Sequence, residues 1–182
     1  MFLNGSGRYP FLSANWYNDS MEKISLRKIR PDDIRYFRKW WRDKDLIALT
    51  SGDFTLITDA EVEKYFHNVL VSKTDYHFMV CLGEQTIGHI SLNKGRNNNY
   101  ETQIVISNKK YWGKGYGVKA IKLLLNKTKG LGVDKIYLEV RPENVRAIKA
   151  YETTGFKPKG IKKYLDNLNQ PETIKMVYEV GK

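Results

Sequence analysis

Residues 109–121, KKYWGKGYGVKAI, set glycines at 113, 115 and 117 between a β-like run, YETQIVIS, and apolar residues at helical spacing: Val118, Ile121, Leu124, Leu125 and Thr128. A strand that passes into a helix through alternate glycines points to a mixed α/β chain. Glycine lets the backbone turn its N–H groups inward without a Cβ in the way, and the helix that follows presents its positive end and unpaired amides. Together these suit a pyrophosphate. The pattern by itself does not decide, because Gly117 is followed by Val118 rather than by a GK[ST] ending, and the x-x spacing of a dinucleotide fingerprint is absent. An anion cradle and a plain strand-to-helix connection fit it equally well.

The surrounding pattern fixes the order of elements. The first twenty residues show no period and are rich in Ser, Asn and Gly, so residues 1–20 read as an N-terminal extension and residues 21–182 as a single domain, with Met21 a plausible original start. KISLRKI reads as a strand, and Pro31, Asp32 and Asp33 open a helix carrying Ile34, Phe37, Trp40 and Trp41 on one face. Thr58 and Glu61 have the spacing of a capping box for a second helix. Between them, residues 42–57 have no consistent period, and so long a connection in a compact domain suits a substrate lip. YHFMVCLG, QTIGHISLN and YETQIVIS form an antiparallel meander, KIYLEV an alternating strand, and NVRAIKAYETTG a short helix capped by Asn144. GFKPKGIKKYLDNLNQPE and TIKMVYEV suggest a closing hairpin on the sheet edge.

Charge and reactive residues narrow the function classes. The net charge of +11 is uneven: residues 21–100 carry 13 basic and 11 acidic side chains, residues 101–182 carry 17 and 8, and no acid lies between Thr102 and Val133. That suits a polyanionic small molecule as well as a nucleic-acid backbone. The single cysteine, Cys81, cannot pair within the chain and reads as a buried small hydrophobe. His67, His77 and His89 lack metal-ligand spacing, and no metal is expected. No apolar run approaches the roughly 20 residues of a membrane span, so a soluble, cytoplasmic protein is expected.

The segments IVISNKKYWGKGYGVKAIKLL and IYLEVRPENVRAIKAYETTGF, with their spacing, resemble the acetyl-CoA-binding core of the GCN5-related N-acetyltransferases, in element order over residues 22–180 and in motif over 100–157. Within that superfamily the second segment is most similar to the ribosomal-protein alanine N-acetyltransferases. The resemblance implies a mostly antiparallel mixed sheet of about 6–7 strands flanked by about 4 helices. It also implies acetyl-CoA as cosubstrate, bound at Trp112, Gly113, Lys114, Gly115, Tyr116, Gly117 and Val118. Trp112 stands where a Gln or Arg is usual. By the same resemblance, Val105, Ile106 and Ser107 would splay from the neighbouring strand and offer backbone N–H groups to the thioester carbonyl, a kind of donor worth about 3–4 kcal/mol. Asn144 would lie beside the pantetheine arm.

Acetyl transfer to an amine needs a base for the ammonium proton and an acid for the departing thiolate. The resemblance assigns Glu139 as base and Tyr151, twelve residues on, as acid, with Glu101 the reserve base. A Glu139 paired with Arg141 or a nearby Lys, and a Tyr151 in the core, are the structural alternatives. The expected acceptor is a protein or peptide α-amine, since KGIKKYLDN resembles a peptide-receiving segment, and ribosome association would use the basic face. The alternative acceptor is a polyamine or aminoglycoside drawn to Asp43, Asp45 and Asp53. A nucleic-acid-binding module is the distant alternative.

Overall fold

A computed structural model describes residues 23–50, 57–167 and 171–181, so the expected extension at residues 1–20 lies outside the described part. Seven strands form one sheet: β1 (Ile24–Lys28), β2 (Tyr76–Leu82), β3 (Gln85–Lys94), β4 (Asn99–Ile106), β5 (Lys135–Val140), β6 (Lys157–Lys163) and β7 (Glu172–Glu179), in the spatial order β1-β2-β3-β4-β5-β7-β6. All neighbours are antiparallel except β4 and β5. The helices among the described residues are α1 (Ile34–Trp40), α2 (Lys44–Thr50), α3 (Asp59–Val71), α4 (Tyr116–Thr128) and α5 (Val145–Thr153). This is the expected mixed α/β architecture with one more helix.

The extra helix is α2, in the segment whose sequence shows no consistent period. It is only seven residues long, too short to display a stripe, but Leu46 and Ile47 are buried by it. Asp43 starts it by accepting the Leu46 N–H at 3.2 Å. α3 begins as the Thr58 and Glu61 spacing indicates: Thr58 Oγ1 accepts the Glu61 N–H at 3.3 Å and a Glu61 carboxylate oxygen accepts the Thr58 N–H at 2.8 Å. The closing hairpin lies at the sheet edge, but its second strand is the inner one. β7 pairs with β5 and leaves β6 outermost.

The alternation along each strand builds two cores. On one face Ile136, Leu138, Val140 and Met176 meet Ala120, Ile121, Leu124 and Leu125 of α4. On the other, Met79 and Cys81 meet Phe37, Trp40, Val62 and Phe66 of α1 and α3. Cys81 is buried there as expected. The helices α1 and α3 cover the β2 side of the second face. The same face of β5, β7 and β6 carries Glu139, Thr173 and Lys162 instead, by the register Glu139↔Lys175 and Lys162↔Thr173.

Beneath α1, His77 and His89 face each other across β2 and β3, Nδ1 to Nε2 at 3.2 Å, with Phe37 edge-on to His89. Burial pushes the His89 imidazole down to about 3, and His77 beside it adds to the fall. Burial also lowers His77. The unfolded chain would protonate both rings near pH ~6.5. Below that pH the unfolded state binds more protons, so stability present above it is lost as pH falls toward about 3. His89→Gln is therefore expected to flatten the decline of Tm between about pH 6.5 and 5, a window above the main carboxylate range. An unchanged slope in calorimetry would contradict the buried neutral pair.

Candidate active site

β4 and β5 pair only at Asn99↔Lys135, Tyr100↔Ile136 and Glu101↔Tyr137, after which the strands separate. The gap is a cleft of about 460 Å³ lined by side chains from both faces of the sheet, Glu139 on one and Ile121 on the other. Its walls include Glu101 through Ile106 of β4, Trp112, Gly113 and Gly115 to Val118 of the loop and α4, and Glu139, Asn144 and Tyr151. Leu46 and Leu49 of α2 also line it, which places part of the expected lip at the cleft. Residues 51–56, with Asp53, lie outside the described part.

The glycine loop shows why its residues are small. Gly113 and Gly115 have φ of 74° and 77°, the left-handed region that side chains rarely adopt. Gly115 caps α4, and Lys119 N–H is the first to find an acceptor in the helix, on Gly115 C=O at 3.0 Å. The amides of Tyr116, Gly117 and Val118 before it have no intrahelical partner. Gly117 is helical, with open space where a Cβ would stand. The hydroxyl of Tyr111, in the same wall, is buried without a hydrogen-bond partner. Unpaired amides, an orphan hydroxyl and space at the glycines fit a pyrophosphate. Lys114 is exposed and outside the lining.

Trp112 does two things that its sequence position does not announce. Its indole N–H donates to Ile106 C=O at 2.9 Å, tying the loop to the end of β4. Its ring carries the Arg146 guanidinium 3.7 Å from the centroid.

The backbone donors of β4 need one correction. Ser107 N–H donates to Ile87 C=O at 2.8 Å and Gly95 N–H to Asn99 C=O at 2.8 Å. These bonds fix the parity of the antiparallel ladder: odd residues of β4, Val105 included, bond toward β3. Even residues, Ile104 and Ile106, turn their N–H groups toward the gap. Ser107 thus offers no free amide, and Ile104, absent from the expected set, does. The signal for it was the register of β3 against β4, which strand patterns alone do not supply.

On the far wall, Glu139 is held by three donors. Lys162 Nζ reaches Oε1 at 3.0 Å, while Thr173 Oγ1 at 2.9 Å and the Tyr164 hydroxyl donate to Oε2. Burial pushes this carboxyl up, but Tyr164, Lys162 and Thr173 outweigh burial and hold it below the usual carboxylate range. The residues Lys162 and Tyr164 belong to KGIKKYLDN, so that segment folds onto Glu139. Glu101, on the same face of β4, lines the cleft, and its carboxylate has no hydrogen bond or ion pair to another described residue. Tyr151 is buried on α5 and lines the cleft, and burial pushes its phenol up to about 12. Asn144 caps α5, accepting Ala147 N–H at 3.2 Å, and still borders the cleft.

Among the described residues no cluster of His, Cys, Asp or Glu could hold a metal, and no helix is long and apolar enough to cross a membrane. The large apolar side chains exposed among them include one aromatic, Tyr65, so no aromatic row lies open for stacked bases.

A family model described as an acetyltransferase (GNAT) domain matches residues 23–157. An aminoglycoside N(6')-acetyltransferase type 1 of Klebsiella pneumoniae is 26% identical over 160 residues, 78% of this chain and 78% of that protein. An uncharacterized protein of Methanocaldococcus jannaschii is 26% identical over 165 residues, 84% of this chain but 33% of its own, so the chain spans about a third of that relative. Among solved structures, a spermidine N-acetyltransferase from Vibrio cholerae in complex with CoA and spermine superposes with a TM-score of 0.76 at 22% identity, covering 87% of this chain and 96% of that one. The aminoglycoside acetyltransferase AAC(6')-Ib in complex with ribostamycin and coenzyme A gives 0.73 at 22%, covering 86% and 93%. At such identity the structures speak for the fold.

The two kinds of glycine in the loop are separable. Gly115→Ala forces a side chain into the left-handed region at about 1–2 kcal/mol and should lower Tm. Gly117→Ala, in ordinary helix, should raise Tm through up to about 1 kcal/mol of added stability while narrowing the cleft. Thermal melts that moved in the same direction for both would contradict the loop geometry.

Proposed function

The chain belongs to the GNAT acetyltransferase family, and on that premise we propose that it acetylates a primary amine of a small polycationic molecule, a polyamine or an aminoglycoside, with acetyl-CoA. The observation that carries this reading is the pair of carboxylates, Glu101 and Glu139, on the face of the cleft opposite the glycine loop. The likeness to enzymes named for aminoglycosides and spermidine supports the same class of acceptor. A protein α-amine is the less favoured acceptor. The segment expected to receive a peptide instead brings Lys162 and Tyr164 onto Glu139, and nothing in the comparisons supports a ribosome.

Acetyl-CoA supplies the acetyl group as a thioester. The amides of Tyr116, Gly117 and Val118 hold the pyrophosphate, and the Ile104 and Ile106 amides face the thioester carbonyl. Glu139, kept ionised by its three donors, draws the substrate's ammonium into the gap. Glu101, whose carboxylate has no partner among the described residues, takes the proton that the ammonium must lose before its nitrogen can attack. The amine nitrogen then bonds to the acetyl carbon as the carbon–sulfur bond breaks. The Tyr151 phenol, protonated at neutral pH as an ordinary phenol is and more firmly so for its burial, gives its proton to the leaving sulfur. The second proton that the nitrogen sheds as the amide forms restores the phenol.

The roles split in kinetics. Glu101→Gln is expected to lower kcat about 100-fold, the low end for a general base, and Glu139→Gln to raise KM for spermidine about tenfold with a smaller change in kcat, a loss of roughly 1.4 kcal/mol in binding. A mass-spectrometric screen of polyamines, aminoglycosides and N-terminal peptides tests the acceptor. Acetylation confined to peptides would overturn the polycation reading.

A further inference from the structure

The Arg146 guanidinium lines the cleft that the glycine loop borders, and no hydrogen-bond acceptor or carboxylate among the described residues holds it. It comes from the first turn of α5, two residues after the Asn144 cap, and is 3.7 Å from the centroid of the Trp112 ring. The ring is not free to move with it. Trp112 is anchored by its N–H to Ile106 C=O and packs against the cluster of Phe37, Trp40 and Leu46. A guanidinium that lies against an indole keeps its N–H donors at its edge, where they can meet a planar array of anionic oxygens. Both Trp112 and Arg146 line the cleft, and Trp112 directly precedes Gly113. The first turn of α4, with its unpaired amides, lines the same cleft.

Resting on the acetyltransferase reading, we infer that Arg146, braced on Trp112, binds the pyrophosphate of acetyl-CoA from the side opposite the α4 amides. The pyrophosphate is then clamped between backbone donors on α4 and one side-chain fork on α5. Trp112 brings no charge of its own, and its N–H is engaged, so it is a platform. This division of labour explains how a loop with an aromatic residue before Gly113 still offers a cation to the phosphates: the cation arrives from the next helix. It also couples α5, which carries Tyr151, to the seating of the donor.

The test is isothermal calorimetry with coenzyme A and with dephospho-coenzyme A, which lacks the 3'-phosphate but keeps the pyrophosphate. Arg146→Gln is expected to weaken both about tenfold, the scale of a lost hydrogen bond to a charged group. Arg146→Lys, which keeps the charge without the planar fork, should fall between. Matching thermal melts for the variants verify the fold, since Arg146 is exposed. Unchanged affinity in Arg146→Gln would overturn the inference alone, as would a loss seen with coenzyme A but absent with dephospho-coenzyme A. Wild-type protein that bound neither ligand would overturn the acetyltransferase reading itself.

Discussion

β4 and β5 are hydrogen-bonded neighbours at Asn99, Tyr100 and Glu101 and then part, and the cleft begins where that ladder stops. Parallel strands normally continue side by side, so early divergence leaves backbone groups that must find other partners. Ile106 C=O finds the Trp112 indole. The amides of Ile104 and Ile106 face the gap. The same divergence lets the N-terminal turn of α4 and the first turn of α5 border one opening. Phosphate-type donors, amide donors and carboxylates therefore meet in a single space although they come from distant parts of the sequence.

The opening is electrically polarised from one side of the sheet to the other. On the loop side there is no acidic residue from Thr102 to Val133, and Arg146 adds a cation. On the opposite side Glu101 and Glu139 face the gap, with Glu139 fixed in its ionised form by Lys162, Tyr164 and Thr173. Such a slot offers positive groups and free amides on one side and the Glu101 and Glu139 carboxylates on the other. The net charge of +11 then reads as a local property of the donor side more than as a general affinity for nucleic acid.

Elements with a strong internal period were legible in the sequence. The capping box at Thr58, the three-strand meander, the stripe of α4 and the alternation of β5 are all local signals, and the structure carries them. The short helix α2 was not legible, because seven residues cannot display an amphipathic period. Glu101, Glu139, Tyr151 and Asn144 do converge on one cleft, but their partners come from far along the chain. Tyr164 and Thr173 reach Glu139 from 25 and 34 residues away. Nor does the spacing of apolar residues reveal which β4 amides are free, since that depends on register with β3. The departure at Trp112 was visible as a puzzle, and only the fold shows the indole tied to Ile106 and supporting Arg146.

The central claim is that the gap between β4 and β5 seats acetyl-CoA on backbone amides. Two-dimensional amide NMR during a titration with coenzyme A tests this most directly. The account expects the largest shifts at Ile104, Ile106, Gly113, Gly115 and the Tyr116–Val118 turn, with Val105 and Ser107, already bonded toward β3, much less affected. Shifts centred away from these amides, or none at saturating ligand, would contradict it.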